Sequence, residues 1–192
     1  MPPLPARAVA APALLLAAAV WAPVLSLRDT FTGGDYRDQM IPWSHVLSQS
    51  LADRTLPFWE PGIGCGFPLL AEGQVGALYP PHLVLYSLLP WRAAYTASVL
   101  FHLLLSAWGS YLLGRTFGAG RAASLLGTAF WMCGSPFGGF FYSISWRVLA
   151  WLPWALLCCE RALRGRPRYA SAMGLCIAMQ ALAGYPPFLA GS

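Results

Sequence analysis

AAYTASVLFHLLLSAWGSYLLG, residues 93–114, carries no charge between Arg92 and Arg115. At about 1.5 Å per helical residue such a run reaches roughly 33 Å, enough for the ~30 Å hydrocarbon core of a bilayer. Other uncharged runs stand at 8–27, 122–146 and 169–192, with a shorter one at 148–159. Dividing the third region near Pro136 and its neighbouring glycines predicts one helix at 121–140 and another at 144–163. The reading is therefore all-α: a polytopic membrane protein with about five transmembrane helices (8–27, 93–114, 121–140, 144–163 and 169–187). Pro23 is a poor residue to follow a cleavage site at Ala22, so 8–27 is expected to stay as an uncleaved first helix.

Composition points the same way. The chain is 57% hydrophobic and 10% charged, with a mean hydropathy of +0.54, whereas soluble domains carry about 25% charged residues. The charge of +5 and pI near 9.2 do not suggest nucleic acid. All twelve basic residues are Arg, spread along the chain, and none forms a stripe interleaved with exposed aromatics. Cys65, Cys133, Cys158, Cys159 and Cys176 make no CxxC pair and have no zinc-ligand spacing.

Charge is segregated along the chain. Asp29, Asp35, Asp38, Asp53, Glu60 and Glu72, six of the seven acids, lie within 28–92. With Arg28, Arg37, Arg54 and Arg92 that stretch has a net charge of −2. Arg7, Arg115, Arg121, Arg161, Arg164, Arg166 and Arg168 with Glu160 give +6, and Arg147 completes the +5 total. Basic residues favour the cytoplasmic side, so the acidic loop is expected to face outward. Within it, Ile41 to Asp53 places Trp43, Val46, Leu47, Ser50 and Leu51 on one helical face, with Ser44, His45, Ser48, Gln49 and Asp53 covering much of the other. That is the pattern of an amphipathic helix in the membrane interface. His82 to Trp91 is apolar but boxed by Pro80, Pro81 and Pro90, too short to cross, and is expected to be re-entrant or interfacial. Trp43, Trp59, Trp91, Tyr142 and Trp146 are placed as interfacial anchors. The chain stops at Ser192 as a last span surfaces, which is the pattern of a piece from a longer protein.

Three strings carry more information than hydropathy: Gly-Asp-Tyr-Arg-Asp-Gln-Met-Ile-Pro (34–42), Leu-Pro-Phe-Trp-Glu-Pro through Gly-Phe-Pro-Leu-Leu-Ala-Glu-Gly-Gln (56–74), and Ala-Leu-Tyr-Pro-Pro (77–81). Together with Trp-Leu-Pro-Trp (151–154), Glu-Arg-Ala-Leu-Arg-Gly-Arg (160–166) and Ala-Gly-Tyr-Pro-Pro (183–187), they resemble the bacterial YfhO-like membrane protein family, with spacing kept from about 29 to 187. The resemblance implies a relative of the GT-C glycosyltransferases, which take sugar from a polyprenyl-phosphate carrier on the outer leaflet and carry an acidic catalytic residue in the first outer loop. It implies a bacterial cytoplasmic-membrane location and an envelope glycan or lipid acceptor. Glu60, Glu72 and Tyr185 depart from the residues usual at those positions, and Tyr185 removes any role that needs a histidine there.

Glycosyl transfer needs a base for the acceptor hydroxyl and positive charge for the departing phosphate, for which Arg is well shaped. Asp35 follows Gly33-Gly34 just beyond the first span and is the first candidate base. Glu72 is its candidate partner, with Gln74, Tyr79 and Arg147 lining the donor site. Two carboxylates together would share acid/base duty or hold a divalent cation; no cofactor is otherwise specified. No phosphate-cradling nucleotide loop is present, in keeping with a lipid-linked donor. Arg147, inside a helix, either binds the carrier phosphate or snorkels to the headgroups. His102, mid-span, is read as a helix-packing hydrogen bond, and His45 and His82 as interfacial. A transporter or lipid flippase is one rival, disfavoured by the lack of paired mid-membrane charges; a non-catalytic envelope assembly protein is another.

Overall fold

The computed structural model describes residues 36–134 and 145–184. Among them the chain is all-α, without a strand. A π-helical turn, Tyr36–Met40, leads into α1 (Ile41–Ala52), and short α2 (Leu69–Glu72) and α3 (Pro80–Leu88) follow. Then come α4 (Trp91–Thr116), α5 (Arg121–Cys133), α6 (Ser145–Leu149), α7 (Leu152–Leu163) and α8 (Arg168–Leu182).

The amphipathic reading of 41–53 holds in outline. Trp43 and Leu47 are buried, and Val46 and Leu51 pack on the same core. Ser44 is buried as well, against expectation, because its hydroxyl hydrogen-bonds Tyr86. Pro80 and Pro81 fill the first turn of α3, where a missing N–H costs nothing. Leu89, extended at φ −123° and ψ 150°, ends α3 because the following Pro90 disfavours helical geometry there.

α4 is 26 residues long and, among the described residues, is the one helix long and apolar enough to cross a membrane. Its buried face carries Ala94, Ser98, His102, Ser106 and Gly109 beside Tyr95, Val99 and Leu103, while Leu104 and Trp108 point away at 71% and 65% exposure. α5 runs antiparallel to α4, with Trp131 Nε1 donating to Ser106 Oγ (2.9 Å) and Ser110 facing Thr128. At Gly109 the indole of Trp154 sits where a Cβ would be, 2.6 Å from its Nε1, and that nitrogen donates to Leu105 O (2.8 Å). This locks α7 onto α4 in parallel. α8 returns antiparallel along α7.

Several expectations change. The single helix expected over 144–163 is two, α6 and α7, broken at Ala150–Trp151. Pro153 lacks an N–H and its ring crowds the carbonyl four residues back, so a continuous helix is ruled out there. α5 extends to Cys133, and α8 ends at Leu182 rather than 187. Trp43 and Trp146, expected as interfacial anchors, are core residues, whereas Trp59 is exposed. The helix expected at 8–27 and the anchor Tyr142 lie outside the described residues.

Candidate functional site

The segment between α2 and α3 is shaped by two glycines at positive φ, Gly73 (82°) and Gly76 (66°). Gly76 N–H donates to Gly73 O and Tyr79 N–H to Gly76 O. These turns aim the carbonyls of Gln74 and Val75 inward, where Arg147 meets them. Arg147 is 4% exposed; its Nη2 donates to Gln74 O at 2.7 Å, and its Nη1 lies 3.5 Å from Val75 O. The guanidinium also stands 5.9 Å from the Trp146 ring. Neither expectation for Arg147 describes this: it does not snorkel, and its fork is turned onto the loop backbone rather than into an open phosphate site.

Two histidines complete the network, and geometry assigns their tautomers. A carbonyl only accepts, so His82 Nδ1 donates to Val75 O (3.1 Å). Its Nε2 then accepts from Ser98 Oγ (3.1 Å) and Arg147 Nη1 (3.4 Å). By the same logic His102 Nδ1 donates to Ser98 O (2.6 Å), and its Nε2 accepts from the Tyr79 hydroxyl (2.7 Å). That hydroxyl in turn accepts from Trp151 Nε1 (2.7 Å). Burial, the Arg147 charge and His102 hold the His82 pKa well below its usual 6.5. Burial also lifts the Tyr79 phenol to about 12, against the opposing pull of Trp151 and Arg147. Both groups are therefore neutral over the physiological range.

Glu72, half-buried, accepts the Gln74 N–H at 2.8 Å and bonds the Gln74 side chain as well. Burial raises its pKa above 4.5, more than these hydrogen bonds and the charge of Arg147 lower it. The loop is clamped from the other side by the end of α8. A Cβ at Gly184 (φ 84°) would lie 2.7 Å from both Gln74 Cα and Gly73 O, so only glycine permits this backbone-to-backbone approach.

Of the five residues predicted from sequence, Glu72, Gln74, Tyr79 and Arg147 converge around this loop, and Asp35 lies outside the described residues. Tyr79 is a correction. It is fully buried and its hydroxyl is committed to His102 and Trp151, so it ties α3 to α4 and α7 instead of lining an open site. His82, expected at the interface, is buried against Arg147. Its signal was its position three residues after Tyr79, on the same helical face. Ser98 and His102, four apart on the inward stripe of α4, carried a similar signal. His102 does make the helix-packing hydrogen bonds expected of it. Glu60 plays a local part, its Oε1 accepting the Gly62 N–H (2.8 Å).

A cavity of about 10 Å³ opens between Trp43, Ser44, His82, Tyr86, Ser98 and Arg147, about the room one water needs. Beside the Tyr79–Trp151 pair lies a wholly apolar groove of about 360 Å³, lined by Pro80, Val84, Leu85, Phe101, Trp151 and Met179. Among the described residues no group of three or more His, Cys, Asp and Glu side chains gathers to hold a metal. No protein-family model, curated protein or solved structure matches the chain.

Proposed function

We propose that this chain is a polytopic membrane glycosyltransferase of the GT-C type, related to YfhO-like proteins. It moves a sugar from a polyprenyl-phosphate carrier to a cell-envelope acceptor at the outer face of the bacterial cytoplasmic membrane. Support for the membrane comes from four helices that turn large apolar side chains outward: Leu104 and Trp108 on α4, Leu126 and Phe130 on α5, Leu156 on α7 and Leu175 on α8. Exposed apolar faces of this kind are what a lipid-facing surface presents.

The observation that carries the enzyme reading is the Glu72 loop itself. A carboxylate whose pKa is raised by burial sits on a segment held by a buried arginine and a glycine clamp, within the same helix cluster as an apolar groove suited to a lipid tail. Perturbed carboxylates in such positions are candidates for acid/base work. In the reaction, the acceptor oxygen bonds the anomeric carbon as the bond to the carrier phosphate breaks. Asp35 takes the acceptor proton, and Glu72 is its proton-holding partner. Arg147, through Gln74 O, positions the loop. The test is sugar transfer by the full-length protein in proteoliposomes. Asp35→Asn and Glu72→Gln should each reduce turnover by about 10²–10⁴, and wild-type turnover in Asp35→Asn would remove that residue from its role.

A second reading, a non-catalytic envelope assembly protein, is favoured by the tightness of the network, whose cavity admits about one water. Under it, both carboxylate variants would support normal envelope assembly in cells.

A further inference from the structure

At the end of the helix cluster remote from the Glu72 loop, four arginines surround one cavity. Arg115 closes α4, and Arg161, Arg164 and Arg166 follow from the last turn of α7. With Leu112 and Thr116 they line a space of about 450 Å³. We propose that this cavity binds a phosphate-bearing anion, specifically the headgroup of an anionic phospholipid in the leaflet opposite the acidic loop. The inference rests on the membrane reading above but not on the enzyme reading.

Charge bookkeeping favours an anion. Glu160 is the acid at this end, and it is engaged by Arg164, whose Nε and Nη2 each reach its Oε1 at 2.7 Å. The C-terminal ends of α4 and α7 each contribute about half a negative charge. Four guanidinium groups against these terms leave the cavity positive by about two. Arrangement matters as much as charge. Arg115 Nη1 donates to Ala119 O (2.7 Å), and Arg161 Nη1 donates to the Tyr169 hydroxyl (2.8 Å) while its guanidinium stacks over that ring. Two of the four forks are thus held in place before any ligand arrives, which reduces the entropy lost on binding. Arginines serving orientation alone need only lie on one side of the membrane; they need not converge on a shared space. Phe117 and Leu163, exposed at 63% and 80%, follow Arg115 and Arg161 by two residues and offer apolar surface for acyl chains beside the headgroup.

The experiment uses the full chain, purified in detergent and delipidated. Partition into the detergent phase is checked first, because failure there defeats the membrane reading rather than this one. Phosphatidylglycerol, phosphatidylcholine and inorganic phosphate are then titrated by native mass spectrometry and thermal shift. Phosphatidylglycerol should bind at least tenfold more tightly than phosphatidylcholine. The double variant Arg115→Gln/Arg166→Gln should bind it roughly 25-fold more weakly, about fivefold per arginine. These two exposed positions are chosen so that folding is preserved. Arg121→Gln, a basic residue outside the cavity lining, should bind as wild type does. Equal binding of the two lipids, or unchanged affinity in the double variant, overturns the proposal. Inorganic phosphate binding as tightly as phosphatidylglycerol would reassign the site to a soluble phosphate and overturn the lipid assignment.

Discussion

Tyr79→Phe removes one oxygen atom from the centre of the network and leaves the ring packed against His102. The hydroxyl holds two bonds of 2.7 Å, one accepted from Trp151 Nε1 and one donated to His102 Nε2. Without it, the His102 nitrogen is left fully buried with an unused lone pair, and the half-buried indole N–H loses its acceptor. Stranding a buried polar atom costs about 1–3 kcal/mol. Taking the middle of that range for His102 and the low end for the more accessible Trp151 gives about 3 kcal/mol. In the membrane that the proposed function implies this is lower, since side-chain hydrogen bonds there average about 0.6 kcal/mol; two such bonds set a floor near 1 kcal/mol. The expected loss is therefore about 1–3 kcal/mol, read by denaturant-induced unfolding of wild type and variant in mixed micelles. Trp151→Phe alone and combined with Tyr79→Phe completes a double-mutant cycle. A coupling of at least 0.5 kcal/mol is expected for groups in direct contact. A Tyr79→Phe protein within 0.5 kcal/mol of wild type, with no coupling to Trp151, would refute the network as a stabilising device.

Gly184→Ala drives a Cβ into the backbone at Gly73 and Gln74 and puts a side chain at φ 84°. Left-handed strain of about 1–2 kcal/mol plus about 1–3 kcal/mol of overpacking predicts a loss of roughly 2–5 kcal/mol in the same unfolding assay, and faster proteolysis within 73–79. Gly109→Ala meets the Trp154 indole at 2.6 Å and should cost about 1–3 kcal/mol, with a shift in Trp fluorescence that Gly118→Ala does not reproduce through a clash, since nothing lies near a Cβ there. His82 makes stability depend on pH. Its folded pKa is depressed, so its contribution is present above the ordinary 6.5 and is lost as pH falls below it. The slope approaches ~1.4 kcal/mol per pH unit below 6.5. His82→Gln should lower the slope of the unfolding profile below pH 6.5 by about that amount, and an unchanged slope would show that His82 does not contribute to it.

The general outline was legible because helical periodicity and proline punctuation are local signals. The inward face of α1 could be counted from Trp43, Leu47 and Leu51, and the stop at Leu89 follows from Pro90. Glu72, Gln74 and Tyr79 stand within eight residues of one another, and the structure brings Arg147, some seventy positions on, to the same loop. Their roles were misjudged where the role depended on a partner. Tyr79 was assigned to ligand binding because nothing in residues 77–81 announces His102 or Trp151, which lie 23 and 72 positions away. The break at 150–151 is hidden from a hydropathy reading, because the uncharged run 148–159 is joined to residues upstream to reach spanning length even though Pro153 interrupts it.

Composition, charge segregation and the positions of proline and glycine are properties of the sequence alone, because each acts on its immediate neighbours or on the apolar character of the chain as a whole. The direction in which Arg147 points is different. A guanidinium on a long flexible stem goes wherever acceptors are fixed in space, and those acceptors, Gln74 O and Val75 O, exist as a pair only after Gly73, Gly76 and Gly184 have closed the loop against the helices.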